Sequence, residues 1–206
     1  MIKVGADPFP PYQYLKADGT LAGSDYERVC RLFQKIGCDI CVTLDEWSEV
    51  QNKMEQGLLD AAFQVQFTPE RGERFAFSNL FRYAETQMIT ARPDLTVDSY
   101  TEIPQRGLTL GLIEGYVNGD VIDSLPETVK RYYAGNLSLL QAIHAGEVDL
   151  GIFDKGVKEY LMEQHGMTGL FVIDAMTYQR PLHVIFNDPV LRDAFNTALV
   201  AEQEEK

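Results

Sequence analysis

The sequence predicts an α/β protein built from two lobes. Two observations carry that prediction. Short apolar runs that read as strands alternate with amphipathic stretches that read as helices, the grammar of largely parallel sheets. The two halves also repeat a phrase: "QGLLDAAF" (56–63) and "AGEVDLGIF" (145–153) each run helix, glycine, two residues, aspartate, buried strand. A chain of 206 residues accommodates two small α/β units of this kind.

Taken in order, "IKVGA" is a strand that stops at Asp7-Pro8, and "DPFPPYQYLKADGT" is a proline-dense loop ending in a D-G turn. A helix follows, with Ser24 and Glu27 spaced as a capping box, Tyr26, Val29, Phe33 and Ile36 as its apolar stripe, and Gly37 as its stop. Strand "ICVTL" leads to helix "EWSEVQNKMEQ", stopped by Gly57, and then to strand "LLDAAFQV". Thr68 and Pro69 suit the cap and first position of another helix. In the second half, "LTLGLI" is a strand and "EGYVNGD" a glycine-rich loop. Asn136 is placed to cap a helix through "LSLLQAIHA", which Gly146 ends. Strand "VDLGIF" terminates at Asp154, "RPLHVIF" is a late strand, and "DPVLRDAFNTALVAEQEEK" a final helix.

Charge and motifs narrow the function classes. The net charge is −13, from 18 basic and 31 acidic residues, which argues against nucleic acid or an anionic membrane as the main partner. No apolar run reaches the roughly 18 residues of a membrane span. There is no G-x-S-x-G elbow, H-E-x-x-H or G-x-x-x-x-G-K-[ST], and the glycines of "GLTLGLIEG" have the wrong spacing for a dinucleotide loop. His144 lies in an apolar helix and reads as packing. Cys38 and Cys41 form a C-x-x-C, but "CDICVTL" alternates like a strand, which sends the two thiols to opposite faces. A disulfide from Cys30 to one of them and three buried thiols are both compatible with the spacing. Asp60 and Asp149 read as turn residues. Neither catalytic residues nor a cofactor are expected.

Open α/β sheets bind ligands at the carboxyl ends of their strands. That directs attention to Asp7–Tyr12, Trp47, Gln64–Arg71, Glu114–Asn118 and Asp154. Arg71 has two readings: a surface cation paired with Glu70 or Glu73, or a bidentate clamp for a ligand carboxylate. Asp154 likewise is either the cap of helix "KGVKEYLMEQ" or an anionic complement to Arg71, and a cation opposite an anion suits a zwitterion. Phe9 and Tyr12, in a proline-fixed loop, offer rigid aromatic faces.

As a set, D-P-x-P-P-aromatic, D-G-x-L-x-G-x-D, G-x-x-D-A, T-P-E-R and F-S, in that order, resemble the extracellular solute-binding proteins of polar amino-acid uptake, which have the type II periplasmic binding fold. The resemblance is carried by residues 2–37, 46–79 and 137–161. It implies two α/β lobes with a ligand cleft between them that closes by a hinge: lobe 1 over 1–84, lobe 2 over 85–183, and a return to lobe 1 over 184–206. It implies that Arg71 grips the ligand carboxylate, that Asp154 takes the ammonium, that Phe9 stacks on the ligand and that Trp47 lines the pocket. Two segments depart from the family pattern. Gln64 and Gln66 stand where small hydroxyl or glycine residues are usual, narrowing the pocket or adding amide contacts. Gly115-Tyr116-Val117-Asn118 replaces the usual glycine followed by serine or threonine, with Asn118 placed to supply the polar contact. The implied function is binding of a small carboxylate, an amino acid, for ABC-type uptake through a membrane permease. A receptor's sensory domain, with a kinase or cyclase as signalling partner, and a dehydratase-like enzyme are the alternatives. A periplasmic or extracellular location, with a leader already removed, also follows from the resemblance. Such proteins usually continue past the last helix with another helical segment; its lack here reads either as a trimmed end or as a receptor module cut before a membrane helix.

Overall fold

A computed structural model of the chain describes residues 1–114, 116 and 118–204. The chain divides into two units: Met1–Ala84 with the chain from Arg180 onward, and Glu85–Gln179.

In unit 1, β1 (Ile2–Ala6) is followed by a hairpin of β2 (Tyr14–Leu15) and β3 (Leu21–Ala22), then α1 (Ser24–Lys35), β4 (Ile40–Leu44), α2 (Trp47–Glu55), β5 (Ala61–Gln66), α3 (Pro69–Arg74) and β6 (Ala76–Phe77). Strand β7 (Arg82–Thr90) carries the chain into unit 2. There follow α4 (Glu102–Gln105), β8 (Leu110–Ile113), α5 (Asp120–Asp123), β9 (Lys130–Tyr133), α6 (Asn136–His144), β10 (Leu150–Asp154) and α7 (Lys155–His165). The long strand β11 (Phe171–Phe186) returns to unit 1, which α8 (Pro189–Glu204) completes. Strand β9 and the first half of β11 are absent from the sequence expectation, because "KRYY" and "FVIDAMTY" show no clean apolar–polar alternation.

Unit 1 is built on β4-β1-β5, all parallel, with the last part of β11 antiparallel to β5. Helices α1 and α8 cover one face: Val29, Leu32 and Phe33 meet Phe195 and Leu199 over Val4, Ala61, Phe63 and Phe186. Helix α2 covers the other, where Val50 and Met54 pack on Ala62, Val65 and Ile185. Unit 2 has β8 parallel to both β9 and β10, and β7 antiparallel to β10. Leu139, Leu140 and Ile143 of α6 pack there with Ile89, Ile113 and Phe153.

The repeated phrase has the same geometry in both units. Gly57 and Gly146 adopt left-handed φ of 68° and 74° just after a helix, a conformation that costs glycine little. The aspartate that follows staples the start of the neighbouring parallel strand. Asp60 Oδ2 accepts from Lys3 N at 2.7 Å, and Asp149 Oδ2 accepts from Thr109 N at 2.9 Å. Asp149 also pairs with Arg92 at 3.0 Å.

Two expected caps are corrected. Ser24 is the first helical residue of α1 and Gly23 its cap, with no side-chain bond. Instead the backbone of the preceding loop caps the helix: Tyr12 O accepts from Asp25 N at 2.9 Å and Tyr26 N at 3.2 Å. Gly23 allows this, because a Cβ there would lie 2.2 Å from Tyr12 O. Asn136 is likewise the first helical residue of α6, capped at Gly135 with Ser138 Oγ closing the turn. Thr68 does cap α3, accepting from Arg71 N at 3.2 Å, with Pro69 in the first turn. Cys30, Cys38 and Cys41 are free thiols, and Cys41 is exposed on β4 rather than buried.

Candidate functional site

Three parallel strands of unit 1 deliver most of the expected residues to their carboxyl ends. Asp7, Phe9 and Tyr12 follow β1, Trp47 follows β4, and Gln64 to Arg71 end β5 and open α3. This edge is where parallel sheets leave backbone and side chains available to a ligand.

Arg71 is half-buried. Its Nη1 donates to Gln66 O at 3.1 Å, and its guanidinium lies over the Trp47 ring, 5.3 Å from the centroid. Burial lowers its pKa, against a smaller raising effect of Glu70, but the group stays cationic at any relevant pH. The neighbouring acids do not pair with it. Glu70 pairs with Arg74 at 3.2 Å, and Arg74 also reaches Glu55 at 2.7 Å. Among the described residues, no carboxylate lies within ion-pairing distance of Arg71. The surface-pair reading therefore belongs to Arg74, and Arg71 presents a partly desolvated cation at the sheet edge.

A second cluster lies beside it and is largely missed by sequence reasoning. Asp25, 3% exposed, sits in the first turn of α1. Its Oδ2 accepts from Arg82 Nε at 2.7 Å and from Gln64 Nε2 at 2.9 Å. Gln64 Nε2 also donates to Gln13 Oε1 at 2.8 Å, and Gln13 Nε2 to Asp7 O at 3.0 Å. Arg82 stacks on Tyr12 with 3.8 Å from its carbon to the ring centroid, and Tyr12 stacks on Phe9. Burial raises the Asp25 pKa in spite of Arg82, Gln64 and Arg28. The amide of Gln64 thus braces the loop that carries the aromatics, whereas Gln66 is exposed.

The backbone explains how Gln64 reaches α1. Gln64 has φ of 65°, and the register against β11 shifts there: His183 faces Val65 while Ile185 faces Ala62. Two residues of β5, Phe63 and Gln64, stand opposite one of β11, Val184, which is a bulge. Strict alternation would put Gln64 on the face of α2 and Val65 on that of α1. The bulge reverses both, turning Gln64 toward Asp25 and Val65 into the core under α2. A left-handed conformation costs a residue with a Cβ about 1 kcal/mol. Gln64→Gly and Gln64→Ala lose the same amide contacts, but only glycine relieves the backbone. Gln64→Gly is expected to be the more stable of the two by about 1 kcal/mol, the reverse of the usual strand preference. Equal denaturation midpoints would remove the strain from this account.

Asp7 adds a pH-sensitive group to the edge. Burial, with a contribution from Glu46, raises its pKa above 3.8, against its own backbone hydrogen bond. A raised folded pKa means that the folded state holds the proton more tightly than the unfolded chain. Stability from this group therefore falls as pH rises from 3.8 through the folded value. Asp7→Asn, a permanent mimic of the protonated acid, is expected to be more stable than the parent at neutral pH. The difference should vanish below pH 3.8; a melting-temperature difference independent of pH would contradict it.

In unit 2, Asp154 ends β10 and is 6% exposed. It caps α7, its Oδ1 accepting from Gly156 N at 2.9 Å and Val157 N at 3.4 Å. Lys158 is buried in the same helix and donates to Gln87 Oε1 at 2.6 Å; burial lowers its pKa. Tyr116 and Asn118 follow β8, with Tyr116 47% exposed and Asn118 Nδ2 donating to Tyr116 O at 3.1 Å. Val117 lies outside the described residues. The structure thus gathers Phe9, Tyr12, Trp47, Gln64, Gln66 and Arg71 at one edge of unit 1, and places Tyr116, Asn118 and Asp154 at strand ends of unit 2.

Comparison with known proteins gives the family and the fold. The chain belongs to the bacterial extracellular solute-binding proteins, family 3, whose sequence model matches residues 2–206. It is 24% identical over 196 residues to the probable amino-acid-binding protein YxeM of Bacillus subtilis, covering 92% of this chain and 73% of that one. Among solved structures, a histidine kinase sensor domain with similarity to periplasmic binding proteins matches with a TM-score of 0.83 at 18% identity, over 100% of this chain and 91% of the other. The arginine-, lysine-, histidine-binding protein ArtJ of Geobacillus stearothermophilus matches with a TM-score of 0.79 at 19% identity, over 99% and 90%. The mixed α/β fold is that of the type II periplasmic binding proteins.

Proposed function

We propose that the chain binds an amino acid or a closely related small carboxylate, whose carboxylate is held by Arg71. The observation that carries this reading is a half-buried guanidinium with no carboxylate partner among the described residues, at the carboxyl edge of a parallel sheet. A cation kept partly out of water is stabilised by an anion, and the guanidinium fork matches a carboxylate in two hydrogen bonds. Asp154 is proposed to receive the ammonium while capping α7 through Oδ1. Phe9, Tyr12, Trp47, Gln66, Tyr116, Val117 and Asn118 are proposed to select the side chain. Gln64 acts with them by bracing Tyr12 through Gln13 and Asp25. The names of the relatives support the ligand class: YxeM is a probable amino-acid-binding protein, and ArtJ binds arginine, lysine and histidine.

A thermal-shift screen with the common amino acids and small dicarboxylates tests the reading. A true ligand at about 100 times its Kd should stabilise the protein by about 2.7 kcal/mol. No stabilisation by any of them would refute the proposal, and recovery of a chemically altered ligand would transfer it to an enzyme. The cellular role we propose is delivery of the ligand to a membrane permease at or outside the cell surface. Sensing is the second reading, because a histidine kinase sensor domain shares the fold over the whole chain. A membrane span and kinase region encoded downstream in the same reading frame would decide for sensing.

A further inference from the structure

The chain contains one Asn-Gly pair, Asn118-Gly119, in the loop of unit 2 between β8 and α5. An asparagine is a latent electrophile. The backbone nitrogen of the next residue can attack its side-chain carbon Cγ and close a five-membered ring. Folded backbone, hydrogen bonds or a shielding Cβ normally prevent this, and none of them protects Asn118. Gly119 stands before α5 as its cap, and its N–H makes no hydrogen bond among the described residues. It has no Cβ, and a Cβ placed there would meet nothing within 4 Å. Gly119 is exposed and Asn118 half-buried, so water reaches both. The leaving nitrogen, Asn118 Nδ2, gives one hydrogen bond, to Tyr116 O in the same loop at 3.1 Å.

The other asparagines are protected. Asn52, Asn136 and Asn196 lie in α2, α6 and α8, where helical ψ keeps the following nitrogen out of reach of Cγ. Asn187 Nδ2 is held by Met54 O and Leu59 O, both at 2.9 Å. Asn79 is followed by Leu80, whose side chain shields the nitrogen.

We propose that Asn118 is a self-modification site, converted through a cyclic imide to isoaspartate and aspartate. A bond forms between Gly119 N and Asn118 Cγ, and the Cγ–Nδ2 bond breaks. The proton of Gly119 N passes through water to the departing nitrogen, which leaves as ammonia. Water then adds to one of the two ring carbonyls. Opening at Cγ yields aspartate; opening at the Asn118 backbone carbonyl yields isoaspartate, with the main chain running through Cγ. Water is the only co-reactant. Either product sets a carboxylate between Glu114 and Asp120 in sequence, where a neutral amide stood. Isoaspartate also adds one carbon to the main chain directly before α5. The consequence for ligand selection rests on the role given to Asn118 above, but the conversion itself does not.

The test is incubation of the intact chain in mildly alkaline water enriched in heavy oxygen, followed by digestion and electron-transfer mass spectrometry. Residue 118 should take up one heavy oxygen and appear as both isoaspartate and aspartate, before conversion is seen at Asn52, Asn79 or Asn187. Gly119→Ala should slow the conversion about tenfold, because a Cβ shields the nitrogen and disfavours the φ of 95°. Asn118→Gln should abolish it, because the ring would be larger and slower to close. This variant leaves Gly119 in place, so the test holds even if alanine disturbs α5. The proposal is overturned if Asn118 stays intact in the folded chain, if aspartate forms without isoaspartate, as direct hydrolysis gives, or if Asn118→Gln converts as the parent does. None of these outcomes depends on amino-acid binding, so the site stands or falls apart from the reading of Arg71.

Discussion

Arg71→Ala is expected to weaken amino-acid binding by about 100-fold or more while the empty protein keeps its fold. A carboxylate held by two charge-assisted hydrogen bonds derives about 1.5–3 kcal/mol from each, and removing both crosses two decades in Kd. The empty protein loses far less. Arg71 gives up a cation–π contact with Trp47 and one hydrogen bond to Gln66 O. At a half-exposed site the contact is worth about 0.5–1 kcal/mol, and release of a guanidinium that burial disfavours offsets part of it. The helix that places Arg71 is capped by Thr68 Oγ1 through the Arg71 backbone N–H, which alanine retains. Arg71→Lys keeps the charge and loses the fork, and is expected to fall between, about tenfold weaker than the parent. Calorimetric titration of the ligand from the screen gives the three affinities. Equal affinity in Arg71→Ala would dismiss the clamp, whereas loss of both fold and binding would show Arg71 to be structural.

Much of this layout is legible in the sequence for definable physical reasons. Glycine punctuation, the Thr68-Pro69 start and the aspartates of the repeated phrase act locally, through backbone conformation and short-range hydrogen bonds, so spacing reveals them. The bulge at Gln64 is different. A glutamine carries no signature of positive φ, and the shift becomes visible only against His183 and Ile185, more than a hundred residues away. Asp25 did leave a signal. It falls on the stripe of Val29, Leu32 and Phe33 at i, i+4, i+7 and i+8, the face that α1 buries. A carboxylate there demands a counter-charge, but nothing local says that Arg82 supplies it, since that pairing depends on where β7 passes α1. The choice between pairing for Arg71 and for Arg74 was hidden for the same reason. Both follow a glutamate in sequence, and what separates them is that Arg74 takes Glu70 and also reaches Glu55 on α2.

The same cluster yields the largest expected effect on stability. Arg82→Met should cost about 3 kcal/mol at neutral pH, although methionine fills a similar volume. The change leaves Asp25, 3% exposed, without the cation that lies 2.7 Å from it, and losing one partner of a buried pair is costly because the remaining charge is uncompensated. Gln64 still donates to Asp25, but a neutral amide replaces little of a guanidinium's field. The pH dependence follows from the same cause. Burial already raises the Asp25 pKa above 3.8 with Arg82 in place; without Arg82 it rises further. A raised folded pKa makes the ionised form the destabilising one, so the variant should recover stability as pH falls through its own Asp25 value toward 3.8. Adding Asp25→Asn should restore most of the loss at neutral pH. The double variant buries no unpaired charge, and the new side-chain amide still offers an oxygen to Gln64. A double-mutant cycle by chemical denaturation measures this coupling. If the two changes simply add, Asp25 and Arg82 do not stabilise each other, and the bracing of Tyr12 must rest on Gln13 and Gln64 alone.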